Sequence, residues 1–190
     1  MPAIVAYQGE AGAFSEGAAH QFIPGPTELL PCETFADAVA AVETGRANYA
    51  AIPVHNITAG PVRAALDALD RASGIERLRE IRIHIHLALM APAGATLDGI
   101  REVHSHLMAL GQCRKFLAQH SRIRPIEAYD TAGAARLIAA LADPAVGAIA
   151  APWAAGRNGL VILAEGLEDR ADNLTTFVLI QRRPESSSAS

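Results

Sequence analysis

Three stretches of small polar residues carry groups that can hold a small anion. The first, "YQGEAGAFSEGAA", has glycines at 9, 12 and 17 and feeds a helix start. Its spacing is not Gly-x-Gly-x-x-Gly, and no Gly-Lys-Ser/Thr follows, so neither nucleotide fingerprint fits. What remains is a turn whose backbone N–H groups across Gly12, Ala13 and Phe14, with the Ser15 hydroxyl, either bind a carboxylate or simply cap a helix. The second and third stretches share one pattern, Asn56-Ile57-Thr58 and Asn173-Leu174-Thr175. With no secretory leader expected, the glycosylation match is empty. The pattern then reads as uncharged hydrogen-bonding groups at junctions between loops and regular elements. Two His-x-His pairs, His84/His86 and His104/His106, suggest a metal, but zinc needs three or four converging ligands. The alternation of Arg82, His84 and His86 with Ile83, Ile85 and Leu87 more simply describes the polar face of a strand. No metal and no cofactor is expected.

The elements that must position these groups alternate. Strands are expected at 3–7, "TELLPC", 49–54, "EVHSH", "RPIEAY", "GAIAA", "LVILAEG" and 175–182, and a long alternating segment over 76–92 is suited to crossing between two lobes. Helices are expected at 15–22 with Ser15 as N-cap, at 34–45 stopped by Gly45, at 60–72 with Pro61 in the first turn, at 108–119 and at 131–142. This is an α/β pattern with mostly parallel sheets covered on both faces. Ligands of such sheets sit beyond the carboxyl ends of strands, where the loops at 8–15 and 55–60 and the approach to 104–112 all fall.

Composition narrows the partner. A net charge of −4 on 190 residues argues against a nucleic-acid or anionic-membrane surface. Cys32 and Cys113 lie far apart with no metal spacing and read as reduced thiols of a cytoplasmic protein. No window approaches a membrane span, and the polar tail 184–190 is expected to be disordered. Residues alone lead to an α/β protein with a polar cleft suited to a small anion.

Taken together, the stretches resemble the catalytic domain of prephenate dehydratase, the lyase that forms phenylpyruvate in phenylalanine biosynthesis. "VAYQGEAGAFSEGAA" is similar to that family's opening segment, and "AAIPVHNITAGPV" resembles its Pro-Ile-Glu-Asn-Ser-x-x-Gly segment. "VHSHLMALGQCRKFL" resembles the Ser-His-Pro-Gln…Gln-Cys helix entry, and "YDTAGAARLIA" a Thr/Ser-rich helix start. "DNLTTFVLI" stands where the family writes Asn-x-Thr-Arg-Phe. The resemblance runs from residue 3 to about 182.

It implies two lobes similar to type 2 periplasmic binding proteins, 1–77 plus 170–183 and 79–168, with the active-site cleft between them. It implies Thr175, His55 and Asn56 as catalytic candidates, with Thr175 tied to loss of the ring hydroxyl. The substrate-binding candidates are Gly12, Ala13, Phe14, Ser15, Thr58, Ser105, His106, Gln112, Thr131, Asn173, Thr176 and Phe177. Departures stand beside the matches. His55 replaces the glutamate, Ile57 the serine, Leu107 and Met108 the Pro-Gln, and Thr176 the arginine, a poor exchange where a carboxylate is gripped. The family's ACT regulatory domain is not expected to follow, nor is feedback by phenylalanine within this chain. The resemblance thus implies a dehydratase acting on prephenate or a close cyclohexadienyl analogue. The alternatives are a non-aromatising prephenate decarboxylase of specialised biosynthesis and a non-catalytic small-anion-binding domain. The expected partners are a small carboxylate substrate and a second copy in a homodimer.

Overall fold

The computed structural model describes residues 2–184, so most of the expected tail lies outside the described residues. The chain folds around two sheets. The first is built from β1 (Ala3–Gln8), β2 (Thr27–Cys32), β3 (Tyr49–Asn56), the short β4 (Gly60–Pro61), β5 (Ile75–His84) and β11 (Leu174–Arg182). Its order is β2-β1-β3-β11-β5, with β4 beside β3. The second contains β6 (Ala88–Ala91), β7 (Glu102–His106), β8 (Arg124–Ala128), β9 (Val146–Ala150) and β10 (Val161–Glu165), in the order β10-β6-β9-β7-β8.

The alternation of strands and helices predicts mostly parallel sheets; both are mixed. β1 pairs in parallel with β2 and β3, and β7 with β8 and β9, each through a helical crossover. The remaining pairs are antiparallel, because β11 returns from the second sheet between β3 and β5, and β6 enters the second sheet beside β9 and β10. The alternating segment 76–92 is two strands rather than one. β5 ends at His84 in the first sheet, Ile85–Leu87 crosses, and β6 begins at Ala88 in the second.

Helices α1 (Phe14–Phe22), α2 (Phe35–Glu43) and α3 (Arg63–Arg71) cover the first sheet. On one face, Phe177 and Leu179 pack with Val5, Ala18, Ala19 and Phe22. On the other, Val178 and Ile180 pack with Ala38, Val39, Val42, Ala65 and Leu69. The strand period of two thus divides β11 between two cores. Helix α2 carries a full capping box between Thr34 and Asp37. Helices α4 (Leu107–Gln112), α5 (Arg114–Gln119), α6 (Thr131–Leu141) and α7 (Trp153–Asn158) serve the second sheet. Among the described residues no helix is long and apolar enough to cross a membrane.

Three helices differ from expectation. Helix α1 begins at Phe14 with Ala13 in the N-cap position, so Ser15 lies inside the first turn and does not cap. Pro61 belongs to the bridge with His55, and the helix waits until Arg63. The expected helix 108–119 breaks at Cys113, whose backbone (φ −113°, ψ 28°) leaves the helical region. The break is held from outside: Asp169 accepts from the Lys115 N–H at 2.8 Å and donates its own N–H to the Gln112 carbonyl at 2.6 Å.

The two connections between sheets are fastened to one another. The Ile85 N–H donates to the Asn173 carbonyl at 2.8 Å and the Leu167 N–H to the Leu87 carbonyl at 3.1 Å. Glu168 accepts from the Leu87 N–H at 2.9 Å and meets His86 Nδ1 at 3.0 Å.

Candidate functional site

Asn56 ends β3 and Thr175 sits directly opposite it near the start of β11, so their side chains share one face of the sheet. The Asn56 Nδ2 amide donates to Thr175 Oγ1 at 2.9 Å and to Asn173 Oδ1 at 2.9 Å. Its Oδ1 accepts from the backbone N–H groups of Thr58 at 3.0 Å and Ala59 at 2.8 Å, which closes the turn into β4. Gln112, at the end of α4, completes the cluster from the second sheet's side. Its Nε2 donates to Asn56 Oδ1 at 3.3 Å, and its Oε1 accepts from Asn173 Nδ2 at 2.9 Å. The Thr58 hydroxyl reaches Asn173 Oδ1 at 3.4 Å. Asn56, Gln112, Asn173 and Thr175 are all buried, yet none carries a charge. Buried amides are costly unless satisfied, and here each satisfies another, which fixes their rotamers. Thr175 Oγ1 accepts from Asn56, and among the described residues no acceptor engages its O–H, which is left to donate.

The glycine turn follows β1, the neighbour of β3 in the sheet, and stands at the head of α1. Glu16, in the first turn, is nearly fully buried and reaches back to accept the Gly12 N–H at 2.8 Å and the Tyr7 hydroxyl at 3.2 Å. Arg157 of α7 pairs with the same carboxylate. Burial, together with the Glu16 carboxylate, pushes the Tyr7 phenol well above its ordinary value. Trp153 donates from Nε1 to the Gly12 carbonyl at 2.9 Å and meets Phe14 edge-on at 5.4 Å. On the flank of the turn, Arg136 forks onto Glu10 at 2.6 and 3.0 Å, and Asp130 accepts the Glu10 N–H at 2.9 Å. The turn of one half is therefore clasped by α6 and α7 of the other. The N–H groups of Phe14 and Ser15 fall in the first helical turn, where no carbonyl four residues back can serve them. Ser15 is buried beside them.

Of the residues singled out from sequence, Asn56, Thr58, Gln112, Asn173 and Thr175 come together, and Gly12, Ala13, Phe14 and Ser15 form the turn into α1. Others go elsewhere. Ser105 is fully buried on β7 and donates to the Ile149 carbonyl at 2.6 Å, tying β7 to β9. His106 caps α4 by accepting the Met108 N–H at 3.2 Å. Thr131 opens α6, but its neighbour Asp130 is the cap. Phe177 is core, packed among Val5, Ala18 and Phe22. His55 and Thr176 face each other across β3 and β11, on the side of the sheet away from Thr175. His84 and His86 stack at 5.5 Å, and among the described residues no group of three ligand types gathers around them or elsewhere. Sequence reading passed over Glu16, Tyr7, Asp130, Trp153 and Arg157. Glu16, four residues from Gly12, carried a local signal; Arg157 carried none.

Comparison with known proteins adds an independent line. A family model described as Prephenate dehydratase matches residues 5–185. The chain is 37% identical over 95% of its length to a bifunctional N-acyl-homoserine lactone acylase/prephenate dehydratase of Komagataeibacter europaeus, 63% of which it covers. It is 38% identical, again over 95% of its length, to arogenate dehydratase 2 of Petunia hybrida, of which it spans 45%. Among solved structures it is similar to a prephenate dehydratase from Arthrobacter aurescens in complex with L-Phe. The TM-score is 0.86 at 31% identity, covering 96% of this chain and 61% of that one. The chain thus spans about half to two thirds of the length of these relatives.

Proposed function

The chain belongs to the prephenate dehydratase family, and from that premise we propose that it converts prephenate, or a close cyclohexadienyl analogue, to the aromatic product with loss of CO2 and water. The reading places the substrate between two lobes, 1–77 plus 170–183 and 79–168, at the carboxyl ends of β1, β3 and the start of β11. The observation that carries it is the contact between Asn56 and Thr175. The amide fixes Thr175 Oγ1 from one side, so the hydroxyl hydrogen is available to a ligand oxygen.

The chemistry needs such a group. Breaking the ring carbon–carboxylate bond releases CO2 and sends its electron pair into the diene. The diene shifts, the carbon–oxygen bond at the para carbon breaks, and the oxygen leaves as hydroxide that takes up a proton to become water. Departure of CO2 needs little more than alignment of its bond with the diene. Departure of hydroxide needs a donor at the oxygen, a role fitted to Thr175. The first-turn N–H groups of α1 and the Ser15 hydroxyl are suited to a carboxylate. Gln112 and Asn173 act through Asn56, which they hold in one rotamer.

Incubation with prephenate, followed by ultraviolet and mass detection, tests the reading. Phenylpyruvate is the expected product. A non-aromatic product that keeps the hydroxyl would mean decarboxylation alone, and unchanged prephenate would remove the assignment.

A further inference from the structure

Glu16 sets a problem for an anion held at the glycine turn. Its carboxylate is nearly fully buried in the first turn of α1, the same turn that is assigned a substrate carboxylate above. Two negative groups close together in a poorly solvated place repel. Hydrogen bonds do not remove that charge. Oε2 accepts the Gly12 N–H at 2.8 Å and the Tyr7 hydroxyl at 3.2 Å, and both donors are neutral. Oε1 meets the guanidinium of Arg157, which α7 brings from the other half of the chain. Trp153 of the same helix donates to the Gly12 carbonyl at 2.9 Å, which seats α7 on the turn. His20 Nε2 stands 3.9 Å from Oε1, beyond hydrogen-bond reach, and is half exposed. Among the described residues Arg157 is therefore the one guanidinium that matches this carboxylate.

The rest of the turn keeps donors for a ligand. The Gly12 N–H is taken by Glu16 and the Ala13 N–H by the Glu10 carbonyl at 3.0 Å. The Phe14 and Ser15 N–H groups have no carbonyl four residues back within the helix. The Ser15 hydroxyl belongs to a residue more than nine-tenths buried, and among the described residues no side chain or carbonyl engages it. Phe14 joins the turn to the surroundings of the amide cluster. Its side chain packs on the core that holds Leu110 and Cys113, which flank Gln112 in sequence, and on the core that holds Phe177, two residues beyond Thr175. Donors on the departing carboxylate would hold the ground state and oppose loss of CO2, so the turn suits the carboxylate that the product keeps.

We infer that Arg157 is a positioning residue that acts through Glu16: it neutralises the buried carboxylate, so that the first-turn amides and the Ser15 hydroxyl accept the carboxylate the substrate retains. The inference rests on the reading under Proposed function. The retained carboxylate is held alike in substrate and transition state, so loss of the neutralising charge raises KM and leaves kcat nearly alone.

The test measures prephenate kinetics of R157Q, E16Q and E16Q/R157Q, with R122Q as the control. Arg122 belongs to an exposed pair with Asp98, and R122Q should behave as the unaltered chain. R157Q leaves Glu16 charged and unmatched and is expected to raise KM roughly tenfold to a hundredfold at little-changed kcat. E16Q keeps a carbonyl for the Gly12 N–H and is expected not to raise KM. E16Q/R157Q removes both charges and is expected to recover most of the affinity lost in R157Q. Unchanged KM in R157Q, raised KM in E16Q, or a double variant as impaired as R157Q overturns the inference; the last result would put the guanidinium on the substrate itself. If R157Q does not fold, E16Q and E16Q/R157Q decide: equal KM values supports the inference, and a higher KM in the double variant rejects it. If the unaltered chain leaves prephenate intact, the functional reading fails, and calorimetric binding of prephenate decides on Arg157 alone. A Kd weaker by roughly tenfold or more in R157Q and restored in the double variant supports the inference. Equal Kd values, no recovery, or no binding by the unaltered chain reject it.

Discussion

Asn173 is the residue on which the amide cluster closes. It accepts from Asn56 and donates to Gln112, so it links groups from both halves of the chain. N173A is expected to leave a donor and an acceptor unmatched in a buried place and to lower unfolding stability by roughly 1–3 kcal/mol. Urea unfolding checks this; an unchanged midpoint would mean that water replaces the amide at no cost. Much of this cluster was legible in advance, because the two Asn-x-Thr pairs stand at junctions between loops and regular elements, where uncharged groups donate and accept. The orientation of Thr176 was legible too, in hindsight of the strand period: neighbours on a strand face opposite ways, so a site at Thr175 puts Thr176 on the other side. Glu16 and Arg157 were not legible as a pair, since they lie 141 positions apart and only the packed fold joins them.

At the scale of elements, the glycine turn and the α4–α5 junction show what a local pattern does and does not carry. Gly12 adopts φ +101°, and a Cβ there would meet Ala154 at 3.4 Å. G12A is therefore expected to cost about 1–2 kcal/mol from backbone strain and to weaken substrate binding, because the turn amides would shift. Denaturation and KM together check it, and a variant unchanged in both would show the turn to be free of strain. The start of α1 was misplaced by one residue because Ser15 offers a hydroxyl, while the real closure comes from Glu16 reaching back to Gly12. The break falls at Cys113 itself, neither proline nor glycine, while the nearby Gly111 stays inside α4; contacts from Asp169, in a distant loop, hold it.

That junction also has a pH consequence. Burial, with Asp169 and Glu168 nearby, pushes the Cys113 thiol from 9.0 up to about 12. The raised value means the folded chain holds its proton where the unfolded chain has released it. The stabilising difference is complete below pH 9 and is lost as pH rises toward 12. C113A is expected to flatten the fall in urea midpoint between pH 8 and pH 10.5, with the Tyr7 contribution remaining above that. An identical fall in both proteins would exclude the thiol as its source.

For the whole molecule, the alternation of strands and helices foretold the α/β class but not the mixed sheets, since the return of β11 between β3 and β5 depends on contacts nearly the whole chain apart. Edges of the two sheets bear on assembly. β2 and β8 carry Pro31 and Pro125, and β5 is lined with Glu76, Arg77, Arg79, Glu80 and Arg82 and interrupted by a register shift. Such edges resist pairing. β10 instead presents exposed Val161 and Ile162 with no charge before Glu165. An apolar edge of this kind invites a second copy, and a homodimer is the expected assembly. Light scattering at micromolar concentration should report twice the chain mass, and I162K should halve it; a monomer in both cases would contradict the expectation.

The central claim, that Thr175 helps a hydroxyl leave the ring, is tested most directly by the turnover of T175V on prephenate. Valine keeps the shape and removes the donor. Loss of one such donor is worth roughly 2–4 kcal/mol, so kcat is expected to fall about a hundredfold to a thousandfold. KM should change far less, because the bond strengthens only as charge develops on the departing oxygen. Phenylpyruvate formed by T175V at the rate of the unaltered chain would contradict the account.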